Sequence, residues 1–260
     1  MYPELFTIPF TDWPISSFGA AMATAFLVGY WIAIPRMREE GLNEDDAANM
    51  LVFIMAGGVL GAKLYYAIDF SVREGMPFWE LLFSRAGMVF YGGLMGGALA
   101  GVLGCLRFGI RIEPFANAVC ISLAVGQAIG RVGCFLVGDD YGRATDLPWG
   151  VAFPQGLPPV DHPVHPTMLY ETAWLSLVAL WLWRRRKSSP SLFGEYLLLN
   201  GVGRTVIEHW RLNARVALDL SEAQWIGIAL VVCGALLLAR GHVRRSSGDG
   251  SGAEAISTRG

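Results

Sequence analysis

Two arginines interrupt long apolar runs. Arg131 closes ISLAVGQAIGR, and Arg204 lies inside LLLNGVGRTVIEHWR. A guanidinium among apolar residues needs an anion, and its planar fork matches carboxylate or phosphate bidentately. Glu208 follows Arg204 by four residues, so the two share a helix face and can pair. That pair either serves chemistry or only fixes helix packing. Arg211 falls another turn on, either as a further phosphate contact or as a side chain snorkelling to an interface. Lys63 is open to the same snorkelling reading.

The stretch GRVGCFLVGDDYGR, residues 130–143, surrounds Arg131 with glycines, a cysteine and two aspartates. It reads as a plain loop, a metal site, a redox site or a phosphate cradle. Glycines let backbone N–H groups approach a phosphate, and Asp139, Asp140 and Glu208 offer competing negative charge. No CxxC or Cys/His spacing suggests zinc, so no metal is expected. Cys134 is open to reading as a nucleophile, a redox thiol or a small buried hydrophobe.

The elements that carry these residues are membrane helices by composition. Apolar residues make up 53% of the chain and charged ones 16%, against about 25% charged in soluble domains. Seven mainly apolar segments, roughly 16–34, 48–68, 87–106, 115–133, 168–183, 194–210 and 223–239, are candidates to span a bilayer. Helices are expected because they satisfy their own backbone hydrogen bonds in lipid. The fold class is therefore an all-α integral membrane protein of about seven transmembrane helices. No cleavable signal peptide is expected at the start. Near-neutral charge gives no case for nucleic acid.

Twelve basic residues fall in one alternate set of connecting segments and five in the other. The positive-inside rule then predicts an outside N-terminus and a cytoplasmic C-terminus. Residues 1–240 form the polytopic membrane domain. The external segment 134–167, rich in proline and glycine, is expected to form a lid or arm. Residues 241–260 are expected to be a disordered cytoplasmic tail. Gly92, Gly93, Gly96, Gly97, Gly101 and Gly104 predict close helix packing. Tyr91, just before them, reads as a belt tyrosine or as a hydroxyl aimed into a site.

Several segments, taken in order, resemble the prolipoprotein diacylglyceryl transferase family. GRVGCFLVGDDYGR is similar to its signature GR-x-G-N-F-x-N-x-E-x-x-G. DLPWGVAFP at 146–154, HPTMLYE at 165–171, GRTVIEHWR at 203–211, YGGLMGG at 91–97 and PELFTIPF near the start resemble further family segments. The resemblance implies a bacterial inner-membrane enzyme. Its substrates would be phosphatidylglycerol and the lipobox cysteine of a prolipoprotein, with no cofactor. It implies Arg131 and Arg204 as phosphate ligands, Glu208 as the group orienting Arg204, Asp139 in place of the signature glutamate and Gly142 as the signature's last glycine. Tyr91 stands where the family has histidine, Cys134 and Val137 where it has asparagine, and Met168 where it has glutamine. The alternatives are a divergent paralogue with other phospholipid-linked chemistry, or a non-catalytic lipid-binding or transport protein. The absence of an internal repeat weighs against transport.

Overall fold

The computed structural model describes residues 3–8, 13–84, 87 and 89–257. All seven predicted segments fall on helices: α1 (Ser17–Glu39), α2 (Glu44–Glu74), α4 (Phe90–Phe108), α5 (Ile112–Val137), α6 (Thr167–Arg185), α7 (Leu192–Ile207) and α8 (Glu222–Ser257). A short α3 (Phe78–Phe83) lies between the second and third of these. Among the described residues, four helical stretches are long and apolar enough to cross a membrane: Ser17–Glu39, Ala48–Glu74, Ile112–Val137 and Glu222–Arg245. Helix α7 has 16 residues and is too short to span by length alone. Helix α8 continues through Ser257, into the polar tail whose composition predicts disorder.

The chain divides into two compact bodies, residues 33–118 and residues 1–32 with 119–260. In the first body, glycines decide the packing of α2 on α4. A Cβ on Gly61 would strike Gly92 O and come within 2.7 Å of Gly96 Cα, so only glycine permits this approach. Helix α2 starts where Asn43 Oδ1 accepts from Asp45 N at 2.9 Å and stops at Gly75, whose φ of 67° suits a left-handed cap. Lys63 does not end in solvent: its Nζ donates to Ser84 O at 2.7 Å and Ser84 Oγ at 3.0 Å.

The second body joins α5, α6 and α7 around Cys120, Ile121, Ala124, Val178, Leu182 and Tyr196. Helices α7 and α8 also meet through glycines, with a Cβ on Gly234 brought to 2.6 Å from Gly194 O. Among the described residues, three short antiparallel strand pairs accompany the helices: β1 (Glu4–Ile8) with β2 (Trp13–Ser16), β3 (Val151–Phe153) with β4 (Val160–Val164), and β5 (Arg215–Ala217) with β6 (Leu220–Ser221). None of them is expected from the sequence, because each is too short to show alternation. Strand β4 is VDHPV, with Pro163 inside it, and its Val160 and Val164 are buried. Phe153, Val160, Val164, Met168 and Cys134 form a second, smaller apolar core, with the Tyr141 ring stacked on Phe153 at 5.5 Å.

Candidate active site

Helix α5 ends at Val137, and the chain turns sharply through Gly138 (φ 78°) and Asp140 (φ 61°). An aspartate tolerates this left-handed conformation better than most residues. The turn carries the Asp140 carboxylate back to Arg131, one to two turns earlier on the helix. Arg131 Nη1 donates to Asp140 Oδ2 at 2.7 Å.

The same loop stitches together three segments that lie far apart in sequence. Gly142 N donates to His165 O at 2.8 Å, His165 N to Arg143 O at 2.9 Å, and Arg143 N to Trp210 O at 2.9 Å. Gly142 forms a β-bridge with Arg211. A Cβ on Gly142 would collide with Trp210 O and sit 2.8 Å from Thr167 Cγ2. Glycine is therefore required here by closeness of approach. Thr167, fully buried at the start of α6, donates to Asp140 O at 2.7 Å.

These contacts gather three arginines around one carboxylate. Glu171 of α6 pairs with Arg131 Nε through one oxygen and with Arg204 Nη1, at 2.8 Å, through the other. Arg211 Nη2 lies 3.5 Å from Glu171 Oε1 and 3.3 Å from Asp140 Oδ2. Arg204 also faces Glu208, the partner its spacing predicts, at 3.6 Å. Glu208 is itself held by Ser221 Oγ at 2.8 Å and Asn213 Nδ2 at 2.7 Å. Three guanidiniums thus meet Asp140, Glu171 and Glu208, and the cluster is balanced in formal charge.

Donor capacity remains. The Arg131 and Arg204 side chains are 21% and 22% exposed. Among the described residues, Arg131 Nη2 and Arg204 Nε have no hydrogen bond or ion pair. A guanidinium has five N–H donors, so both arginines can take an anion without releasing Glu171. Arg211 is different. It is buried, not snorkelling, and among the described residues its Nε has no hydrogen-bond partner. Its place is inside the cluster, next to the Asp140 turn.

Asp140, not Asp139, meets the arginines. Burial works against the Asp140 charge, but Arg211 and Arg131 outweigh it and hold the carboxyl below its usual range. Among the described residues Asp139 forms no ion pair with these arginines, and burial pushes its carboxyl above the usual range. Cys134 belongs to the apolar core with Met168 and Phe153. Its Sγ is 4.0 Å from Arg131 Nη1, yet the residue is buried, which disfavours a nucleophile or redox role. Tyr91 opens the first turn of α4, and its side chain lies outside the described residues. Among the described residues, no cluster of acidic, histidine or cysteine side chains could hold a metal.

Glu171 is the site residue that sequence reasoning misses. It ends the HPTMLYE segment and is an ionisable group inside a predicted span, so the criterion that selects Arg204 selects it as well. Tyr170 beside it belongs to another surface. Its hydroxyl accepts from Trp149 Nε1 at 2.8 Å and lies 3.0 Å from His165 Nδ1. Burial and the nearby Arg143 charge lower the His165 pKa, which favours the neutral imidazole. The three residues line a cavity of about 470 Å³ with Leu147, Trp174 and Trp210.

A family model described as prolipoprotein diacylglyceryl transferase matches residues 3–240. A phosphatidylglycerol–prolipoprotein diacylglyceryl transferase of Clostridium tetani is 33% identical, over 85% of this chain and 90% of its own length. The protein of the same name from Clostridioides difficile is 32% identical over 84% and 87%. One from Synechococcus elongatus is 31% identical over 84% and 81%.

Proposed function

Because this chain belongs to the prolipoprotein diacylglyceryl transferase family, we propose that it transfers diacylglyceryl from phosphatidylglycerol to the lipobox cysteine thiol of prolipoproteins. The observation that carries this reading is the pair of arginines on α5 and α7, clamped to one carboxylate yet each retaining a donor for an anion.

The reaction asks the protein for two things. The acceptor thiol, with a pKa near 8.5 in free cysteine, must lose its proton to become a good nucleophile. Sulfur then attacks the glyceryl carbon that bears the phosphate ester. The C–O bond breaks, and glycerol phosphate leaves with the electron pair. Negative charge grows on the phosphate oxygens in the transition state. Arg131 and Arg204, held in place before the reaction, stabilise that charge without reorganising. Glu171 fixes both guanidiniums at one spacing, and Glu208 supports Arg204 from the second side. Asp140 and Arg211 close the loop over the cluster, and Gly142 allows the close backbone approach that loop needs. Tyr91 and Asp139 remain further candidates, the first as a catalytic hydroxyl and the second as a substrate contact.

The enzyme is assigned to the bacterial inner membrane, with seven spans, an external N-terminus and a cytoplasmic C-terminus. The charge asymmetry of the connecting segments supports this orientation. The site then opens on the outer face, where lipobox cysteines arrive. The segment after Arg240 is assigned as a dispensable tail. A second reading, phospholipid-linked chemistry on another headgroup, is favoured by Cys134 and Met168, which place apolar side chains at two signature positions.

Purified protein in phosphatidylglycerol vesicles with a lipobox peptide should yield diacylglyceryl-peptide and glycerol phosphate. Expression should also restore growth to cells depleted of their own transferase. Folded protein that lipidates no peptide from phosphatidylglycerol defeats the proposal, and turnover of a different phospholipid in the same assay establishes the second reading.

A further inference from the structure

One helical turn from the arginines, α5 and α7 meet again through polar side chains. Asn200 Nδ2 donates to Gln127 Oε1 at 2.6 Å. Buried Tyr196 lies one turn before Asn200 on α7. The spacing is regular. Gln127 precedes Arg131 by four residues, Asn200 precedes Arg204 by four, and Tyr196 precedes Asn200 by four. Each set lies along one helix face. At the same level, α6 is tied to both partners. Thr172 Oγ1 approaches Ala128 O at 3.4 Å, and Trp174 Nε1 donates to Leu199 O at 2.9 Å. Beyond this level the three helices touch through the apolar residues around Cys120, Leu182 and Tyr196.

We infer that the Gln127–Asn200 pair is a positioning device, which sets the register of α5 against α7 so that Arg131 and Arg204 both reach Glu171. The inference rests on the transferase reading. The physical reason lies in how steeply different contacts resist sliding. Apolar side chains adapt to a shift of one helix along another by changing rotamers. A short amide–amide bond loses its energy with small changes in distance and angle, and this one lies between two half-buried side chains. Buried polar pairs fix register in other helical assemblies in this way. Here, the register decides whether one carboxylate can hold two guanidiniums from different helices. The amides touch no phosphate themselves and act only through the arginines one turn above.

Gln127→Met and Asn200→Leu preserve side-chain volume and remove the polar contact. Replacing both partners of a hydrogen bond by apolar groups of similar shape can be nearly neutral for stability, so the double variant should fold; each single variant strands one half-buried amide and should fold with lower stability than the double one. Each single variant should lose about 10- to 100-fold in kcat per folded molecule, the cost of a misplacement of order 1 Å. The KM for phosphatidylglycerol should change little. The double variant should lose no more than either single one, because one contact is broken in all three. The exchange of Gln127→Asn with Asn200→Gln should recover activity relative to the single replacements. Additive losses, unchanged kcat in both single variants, or failure of the double variant to fold would each overturn the positioning role. An inactive parent protein overturns the transferase reading and this inference together. An active parent with unaffected variants overturns this inference alone.

Discussion

Helices α5 and α6 each contribute to two neighbouring layers with opposite character. Arg131 and Glu171 belong to the charged cluster. Cys134 and Met168, three residues away on the same two helices, belong to the apolar core with Phe153, Val160 and Val164. The charged layer is held by directional pairs and keeps donor capacity for a ligand. The apolar layer is closed: Met168 and Phe153 have no exposed surface. One layer keeps open hydrogen-bond donors, and the other fastens the β3–β4 hairpin to the helix ends. Two of the departures from the family pattern, Cys134 and Met168, fall together in the second layer and leave the arginine layer intact.

Breaking the charged layer should have the largest effect. Arg131→Ala or Arg204→Ala should each lower kcat by about 10²–10³-fold or more, the scale for removing one donor to a developing oxyanion. Lipidation of a lipobox peptide, normalised to folded protein, measures it. Full activity in both would remove the arginines from the reaction. Glu171→Gln comes next. It keeps the shape and removes the charge that two arginines share. It should destabilise the protein by about 3 kcal/mol, as breaking a buried pair does, and should also lower kcat. A variant that unfolds at the same temperature as the parent would show that Glu171 is not central.

Met168→Ala sharpens the contrast from the other side. It should cost about 2–5 kcal/mol through the cavity left behind while leaving kcat per folded molecule near the parent value. Thermal unfolding in detergent and the lipidation assay together separate the two outcomes; a selective loss of kcat would merge the layers into one functional unit. The smallest effect concerns acid. The Asp140 carboxyl is held below its usual range in the folded protein by Arg211 and Arg131. Its stabilising contribution is therefore complete above its unfolded pKa of about 3.9 and is lost as pH falls through the lower, folded value. Asp140→Asn should unfold with a weaker pH dependence than the parent below about pH 4. An unchanged acid profile would place the arginine contacts of Asp140 outside the stability of the fold.

Much of this organisation is visible in the sequence. Hydropathy locates all seven long helices, because an apolar run of that length has few alternatives. Arg204 and Glu208 are identified as neighbours by the helical period alone. Arg131 is noticed because a cation in an apolar run is costly. The hairpins escape, since strands of two to five residues carry too little pattern. The choice between Asp139 and Asp140 also escapes. It depends on two left-handed residues in the turn after α5, and adjacent aspartates look alike in a sequence. Glu171 could have been found, as an acidic residue in a predicted span.

Local chemistry therefore determined which residues must be partnered: buried guanidiniums need anions, and apolar runs need helices, wherever they end up. Only the tertiary structure decided the partners. Arg131, Glu171 and Arg204 come from three different helices, and their meeting depends on the register set by Gln127 and Asn200 and on the stitch from Gly142 to His165 and Arg143 to Trp210. Such contacts join residues far apart along the chain. Their geometry follows from the packing of whole helices, which no short segment encodes.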